Sequence, residues 1–240
     1  MEVDNPTQLM QLCTNETATA ADVRRLLREN PRLRWSDRLK GNGDNALIIA
    51  AKNGCHPCIR PLLESGAEID YRNKFGETAL MASMKAENEL AAMVLLDNGA
   101  NPNLVNNGDS VLKLAVEGGK DSQGFIDTVS ELLNKGVDVN IRDSEGKTPL
   151  IIAVLRKLER IVELLLAYGA RSALRDNRSQ SALDYALKIR NNEPIINLLR
   201  HAPDFNAGSR QNPFSSNYRP GNARKRKTQR KQRKNRTRKN

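Results

Sequence analysis

The strongest constraint on the fold of this chain is an apolar triplet with the helical spacing i, i+3, i+4, which recurs six times and is closed each time by a helix-ending residue. Successive Leu-Leu or equivalent pairs in these triplets begin 36, 33, 37, 33 and 33 residues apart. This period predicts small helical units that bury a core only by stacking, and a function in binding along a surface rather than chemistry in a pocket. The triplets are Val23/Leu26/Leu27 (then Asn30), Ile59/Leu62/Leu63 (then Gly66), Ala92/Leu95/Leu96 (then Gly99), Val129/Leu132/Leu133 (then Gly136), Val162/Leu165/Leu166 (then Gly169) and Ile195/Leu198/Leu199 (then Ala202).

A second phrase precedes each of the last five triplets and predicts the start of another helix. It consists of a hydroxyl or amide residue, one spacer and Leu. The first residue can cap a helix, because its side-chain oxygen accepts from free backbone N–H groups. An Ala-rich stretch follows, which allows two helices to approach closely. The copies are Asn45-Ala46-Leu47, Thr78-Ala79-Leu80, Ser110-Val111-Leu112, Thr148-Pro149-Leu150 and Ser181-Ala182-Leu183.

Together the two phrases resemble the repeat of the ankyrin-repeat family. The segments RNKFGETALMASMKAENELAAMVLLDNGANPN and RDSEGKTPLIIAVLRKLERIVELLLAYGA carry the resemblance most clearly. The positions that match the family pattern are Gly76, Thr78, Leu80, Ala82, Gly99, Ala100, Gly146, Thr148, Pro149, Leu150 and Ala153.

The resemblance covers residues 7–202 and implies an all-α ankyrin-repeat solenoid of stacked helix–turn–helix units with hairpin-like loops. Residues 1–36 are then an N-terminal capping helix pair. Five repeats follow at 37–70, 71–103, 104–140, 141–173 and 174–202. Residues 203–223 are rich in Pro, Gly, Ser and Asn and are expected to form a flexible linker. Residues 224–240 are expected to be a disordered basic tail.

Two departures from the family pattern stand out. The third repeat carries about five additional residues, Lys120–Gly124, between its two helices. The histidine that usually follows the Leu of the capping phrase is absent, so we expect no histidine network between repeats. The residues at that position are Ile48, Met81, Lys113, Ile151 and Asp184.

The positive charge of the chain is concentrated at its C-terminus. The sequence has 39 Lys and Arg against 28 Asp and Glu, a net charge of +11. Residues 219–240 hold 12 of the basic residues and no acidic one, which leaves 27 basic against 28 acidic residues in the remainder. The remainder of the chain, which contains the repeats, is therefore close to neutral, and the tail carries the whole excess of positive charge.

The tail permits several interpretations. A compact basic tetrad at 224–227 is typical of a nuclear or nucleolar localisation signal, which makes a nuclear import receptor a candidate partner. The same charges could contact RNA or DNA phosphates with release of counterions, bind anionic lipid, or only solvate the chain. The residues concerned are Arg224, Lys225, Arg226, Lys227, Arg230, Lys231, Arg233, Lys234, Arg236, Arg238 and Lys239.

Candidate binding residues on the repeats follow from the resemblance, since ankyrin-like arrays bind proteins mostly through hairpin tips and the exposed face of the first helix. Phe75 is an aromatic beside a hairpin glycine, and either anchors a partner or packs on the neighbouring tip. Trp35 is the only Trp and either contributes to binding or covers the first helix pair. The remaining tip residues are Lys74, Glu77, Asn106, Asn107, Ser144, Glu145, Lys147, Arg175, Asn177 and Arg178.

The sequence favours no catalytic or metal function. Cys55-His56-Pro57-Cys58 has C-x-x-C spacing, but zinc usually needs four ligands and no second pair is present, so we expect a structural role with Cys58 packed inward. No nucleophile, phosphate-binding or H-E-x-x-H motif occurs. We therefore expect a monomeric, non-enzymatic adaptor or inhibitor without cofactor or membrane insertion, located in the nucleus, nucleolus or cytoplasm. The alternative is a nucleic-acid-binding protein whose repeats recruit a protein partner.

Overall fold

The computed structural model describes residues 2–3, 7–15, 17–30, 37–120 and 122–202. Trp35 and the predicted linker and tail, residues 203–240, lie outside the described residues. The described part contains the helices α1 (Gln8–Cys13), α2 (Ala20–Glu29), α3 (Ala46–Lys52), α4 (His56–Glu64), α5 (Ala79–Lys85), α6 (Glu89–Asp97), α7 (Val111–Gly118), α8 (Gln123–Asn134), α9 (Pro149–Leu155), α10 (Glu159–Ala167), α11 (Ala182–Lys188) and α12 (Glu193–Arg200).

The capping phrases correctly predicted where the first helix of each repeat begins. In each of α3, α5, α7, α9 and α11, the side-chain oxygen of the preceding Asn, Thr or Ser accepts from the backbone N–H three residues on. Pro149 is the first residue of α9. A backbone N–H at this position has no partner within the helix, so proline loses no hydrogen bond there. Thr19 and Asp22 form a reciprocal capping box at the start of α2.

The helices stack in two layers, which confirms the all-α solenoid. The first helices contact one another in the order α1, α3, α5, α7, α9, α11, and the second helices in the order α2, α4, α6, α8, α10, α12. The small residues Ala50, Ala82 and Ala115 are buried and let the layers approach closely. Because each unit contacts mainly its neighbours, the apolar triplets of one unit are covered by the next.

Short strands accompany the helices without forming a common sheet. Strand β1 (Glu2–Val3) pairs in parallel with β2 (Arg38–Leu39). Strand β3 (Val105–Asn106) pairs with β4 (Asp109–Ser110) in an antiparallel hairpin, with Val105 opposite Ser110 and Asn106 opposite Asp109. Among the described residues, no helix has the length and apolar character needed to cross a membrane.

The residues at the position where the family usually has histidine have different roles in different repeats. Ile48, Met81 and Ile151 are buried apolar side chains. Lys113 instead forms salt bridges within its own repeat, and Asp184 completes the capping box of α11. Ties between repeats are made elsewhere.

An asparagine provides one such tie between repeats. The Asn88 amide donates to the carbonyl oxygens of Ala51 and Lys52 in the preceding repeat, at 3.0 and 2.8 Å. It satisfies backbone acceptors at the C-terminal end of α3, which have no partner within the helix.

The third repeat absorbs its additional residues partly in a helix. Ser122 caps α8, and Gln123 and Gly124 form its first turn, so α8 has 12 residues where α6 and α10 have 9. A Cβ at Gly124 would overlap the end of the Glu89 side chain of the preceding repeat, so a larger residue there would require that carboxylate to move. The inserted segment is therefore a helical extension as well as a loop.

Both cysteines of the C-x-x-C motif are buried, as the expected inward packing of Cys58 requires. They are joined by a disulfide with a Cα–Cα distance of 5.4 Å, a pairing that the sequence did not predict. Cys13 is a buried free thiol, and burial raises its pKa to about 12.

Left-handed backbone occurs in the hairpin of every repeat and in the turn between the helices of four of them. Four hairpins have a glycine with positive φ before the capping residue, whereas the fifth has Ser179 at φ 59°. The turn between the helices has Gly54 in the first repeat but Glu87 and Lys157 in the second and fourth, at φ 57° and 58°. A side chain in this conformation costs roughly 1–2 kcal/mol.

Replacement of Ser179 by Gly is expected to raise the free energy of unfolding by about 1 kcal/mol, because it removes backbone strain at the cost of some unfolded-state entropy. The hydrogen bonds of Ser179 in this turn use its backbone N–H and C=O and survive the change. Urea denaturation measures the effect. Ser144→Gly is the control, since Ser144 lies in a hairpin tip without positive φ. An equal gain in the control would contradict the explanation by strain.

Candidate binding surface

The hairpin tips of the second, fourth and fifth repeats are each preorganised by one side chain. Asn73 Oδ1 accepts from the backbone N–H groups of Phe75 and Glu77 at 3.0 and 2.9 Å. Asp143 and Asp176 make the equivalent pairs of bonds in the fourth and fifth hairpins. These three tips are therefore held in place before any partner binds, which lowers the entropic cost of binding.

Four of the predicted site residues hold neighbouring tips together. Each lies next to the positive-φ glycine of the preceding hairpin, where a Cβ would meet it. The Lys74 and Asn177 backbone N–H groups donate to the carbonyl oxygens of Asn42 and Glu145, both at 3.0 Å. The structure thus gives these residues a role in stacking as well as a place near the surface; they are Lys74, Asn106, Ser144 and Asn177.

The next residue in each tip points outward. Phe75 is 62% exposed, so it does not pack into the neighbouring tip. Asn107, Glu145 and Arg178 occupy the same position in later repeats and are also exposed. These four exposed side chains form a row in which an aromatic, an amide, an acidic and a basic group follow one another. A partner could recognise this order of groups.

The other predicted residues are engaged in ion pairs. Glu77 bonds Lys85, Lys147 bonds Glu145, both at 2.6 Å, and Arg175 bonds Asp184 at 2.9 Å. Their charges are thus partly compensated within the array.

A line of charged residues on the first helices of the first two repeats was predicted only at Glu77. In these two repeats a lysine seven positions after the helix cap pairs with the carboxylate just before the cap. The Lys52 ammonium contacts Asp44 at 2.8 Å and Glu77 of the next repeat at 3.5 Å. The 33-residue spacing of Lys52 and Lys85 was the signal that could have revealed it.

Glu77 is the junction of this line, because it receives two lysines from successive repeats. Burial raises its pKa, but the hydrogen bond and charge of Lys85, together with Lys52 and Asn73, lower it more. The net effect holds the pKa of Glu77 below its ordinary value of 4.5. The carboxylate is therefore charged at neutral pH and ties the second and first repeats together.

No cluster of three or more potential metal ligands occurs in the part of the chain that the structure describes. The groove between α1 and α2 has a volume of about 500 Å³ and is open to solvent.

Comparison with protein families identifies ankyrin repeats in three overlapping or successive segments. A model of ankyrin repeats (3 copies) matches residues 120–209, a model of ankyrin repeats (many copies) matches residues 47–88, and a single ankyrin repeat matches residues 75–107.

Curated proteins similar to this chain include a putative ankyrin repeat protein of fowlpox virus, 34% identical over 155 residues, which are 62% of this chain and 44% of that protein. The mitochondrial disaggregase of Bos taurus is 35% identical over 60% of this chain and 21% of its own length. Human cyclin-dependent kinase 4 inhibitor B is 33% identical over 47% of this chain and 79% of its own length. The chain thus spans less than half of the first two relatives.

Replacement of Glu77 by Gln is expected to lower the free energy of unfolding by about 1–2 kcal/mol at pH 7, because two lysines lose their charged acceptor. A carboxylate with a depressed folded-state pKa stabilises above its unfolded pKa, and this contribution disappears as pH falls through the folded value. The difference between wild type and variant should therefore shrink below pH 4.5. Urea denaturation at several pH values measures it.

Glu68→Gln is the matched control, since Glu68 is exposed and loses the same charge. A pH-independent difference for Glu77→Gln, or an equal loss in the control, would contradict the role of Glu77 as a junction.

Proposed function

Because the chain belongs to the ankyrin-repeat family, we propose that it is a non-enzymatic adaptor or inhibitor that binds a protein partner through its hairpin tips and first-helix face. Ankyrin repeats support a function in protein–protein interaction. One relative is named as a kinase inhibitor, which favours an inhibitory or scaffolding function over catalysis by similarity.

The observation that carries this proposal is the exposure of Phe75 on a rigid tip. An aromatic side chain that is 62% in water is unfavourable for a free protein but provides a large apolar contact for a partner. Its backbone is fixed by Asn73, so little conformational entropy is lost on binding. Partner choice then depends on the neighbouring exposed residues Asn107, Glu145 and Arg178.

In our proposal the tail determines where in the cell the protein acts. The tetrad at 224–227 directs the protein to the nucleus or nucleolus through an import receptor. The alternative is that the tail contacts RNA or DNA phosphates while the repeats recruit a protein. The two alternatives differ in salt dependence, since each phosphate neutralised on a single strand contributes about −0.7 to the slope of log K against log salt.

Phe75→Ala is expected to reduce capture of specific partners by roughly ten-fold or more, as for loss of a buried aromatic anchor. Its effect on folding stability should be small because the side chain is exposed. Proximity labelling followed by quantitative mass spectrometry, together with thermal melting, measures both. Leu90→Ala provides the control, since Leu90 is 63% exposed but lies on the outer helix α6. Equal partner profiles for the two variants would argue against the tip surface.

Replacement of Arg224, Lys225, Arg226 and Lys227 by Gln is expected to abolish nuclear accumulation of a fluorescent fusion. A variant with Arg233, Lys234, Arg236 and Arg238 changed to Gln removes the same charge outside the tetrad and should still accumulate. Loss of accumulation in both would indicate that total charge matters instead. A steep salt slope for binding to oligouridine, abolished equally by both variants, would favour the nucleic-acid alternative.

A further inference from the structure

Three arginines occupy the same hairpin position, four residues before the left-handed residue that precedes Glu77, Lys147 or Gln180, and two of them are engaged within the array. They are Arg72, Arg142 and Arg175. The Nε–H of Arg142 donates to the carbonyl of its own hairpin glycine, and its Nη2 donates to the Arg175 carbonyl of the next hairpin. Arg175 itself pairs with a carboxylate at the start of α11.

Arg72 uses a different part of its guanidinium. Its Nη1 donates both to the Gly76 carbonyl of its own hairpin, at 3.2 Å, and to the Val105 carbonyl of the next, at 3.1 Å. Within the described residues its Nε and Nη2 make no hydrogen bond, and the side chain is exposed. The open Nε/Nη2 edge is the one that can bind a carboxylate with two parallel hydrogen bonds. Arg24 uses this same edge on the Glu64 carboxylate, at 2.9–3.0 Å.

The carboxylates of the two adjoining hairpins are engaged elsewhere. Glu77 pairs with Lys85 at 2.6 Å, and Asp109 pairs with Lys113 at 2.7 Å. In the part of the chain that the structure describes, neither carboxylate forms a salt bridge with Arg72. The array therefore positions a bidentate donor and leaves its acceptor to come from outside.

The open edge lies beside the exposed Phe75. Gly76, whose carbonyl oxygen binds Arg72, directly follows Phe75, and Lys74 directly precedes it. The Lys74 ammonium donates to the Lys40 carbonyl at 2.6 Å, which brings two exposed lysine residues of neighbouring hairpins together. We call these four residues, Lys40, Arg72, Lys74 and Phe75, the cationic tip. It combines one apolar side chain with cations on both sides.

We propose that the cationic tip binds an acidic segment of the protein partner. One carboxylate of that segment takes the Nε/Nη2 edge of Arg72, and a neighbouring apolar side chain packs on Phe75. The inference rests on the proposed function and names the chemistry of the partner. The surrounding lysines favour further carboxylates and disfavour basic sequences. Because Arg72 is fixed by two carbonyls and the backbone of Phe75 by Asn73, both lose little conformational entropy on binding.

Charge and aromatic content favour an acidic protein segment over two other occupants. The tail of this chain is repelled, since residues 219–240 contain 12 basic residues and no acidic one. A single-stranded nucleic acid usually stacks its bases on several aromatic side chains. Among the described residues, Phe75 is the only exposed aromatic one.

A peptide selection tests the proposed chemistry. A phage-displayed library of random 12-residue peptides is selected on the full chain, with every basic residue from 219 to 239 changed to Gln so that the tail does not capture acidic peptides. We expect enrichment of an apolar residue next to Asp or Glu. Binding of the enriched peptide, labelled with fluorescein, is then measured by anisotropy. The same peptide with its acidic residues changed to amides should bind at least ten-fold more weakly.

The variant Arg72→Lys keeps the charge but loses the bidentate edge, and should bind the enriched peptide roughly five-fold more weakly or worse. Phe75→Ala should weaken binding about ten-fold. Arg142→Lys is the matched control, because Arg142 also ties two hairpins together but uses its Nε/Nη2 edge within the array. It should change affinity less than two-fold, although both arginine variants should lower the melting temperature to a similar extent.

The proposal would be overturned by a library without enriched acidic peptides, or by equal binding of the peptide to Arg72→Lys and Arg142→Lys. Preferential binding of 15-residue oligouridine that Arg72→Lys weakens would also overturn it and reassign the tip to nucleic acid.

Proximity labelling separates this inference from the proposed function. Arg72→Lys should lose the partners that Phe75→Ala loses, and Arg142→Lys should keep them. If Arg72→Lys keeps those partners, the tip surface stands and only the acidic assignment fails. If Phe75→Ala loses no partner, the proposed function itself fails.

Discussion

The stacking of each helix pair on its neighbours is the interaction on which the rest of the structure depends. No single unit has enough apolar surface to form a core, so the triplets are buried only because an adjacent unit covers them. Leu183 shows the consequence at the end of the array. Its equivalents Leu80, Leu112 and Leu150 are buried, whereas Leu183 is only partly buried, because no described unit follows.

Stacking also determines where polar groups can be used. Carboxylates between repeats, such as Glu77, hold first helices together through their lysine partners. The exposed tip residues, such as Phe75, are not used in stacking. Stability and the proposed recognition therefore use different positions of the same short repeat.

Much of the fold could be predicted from the sequence, because helix caps, apolar spacing and glycines act locally and recur with the same period. The helix starts after Thr78, Ser110 and Ser181 follow directly from capping chemistry. The extension of α8 by Gln123 and Gly124 did not follow, since its cap Ser122 lies among the additional residues, outside the repeated phrases. The site was harder for the same reason: Lys74 and Phe75 are adjacent in sequence, and only the preceding hairpin decides that one helps stack the tips and the other faces water.

The glycines of the hairpins have a consequence for the shape of the binding surface. Gly43, Gly76, Gly108 and Gly146 each allow the next hairpin to approach closely. A methyl group at Gly43 or Gly146 would lie within 3.0 Å of a backbone nitrogen of the next hairpin, so one of the two tips would have to shift. Because Gly146 directly follows the exposed Glu145, a substitution made to change stacking at this tip would also displace a side chain of the proposed binding row.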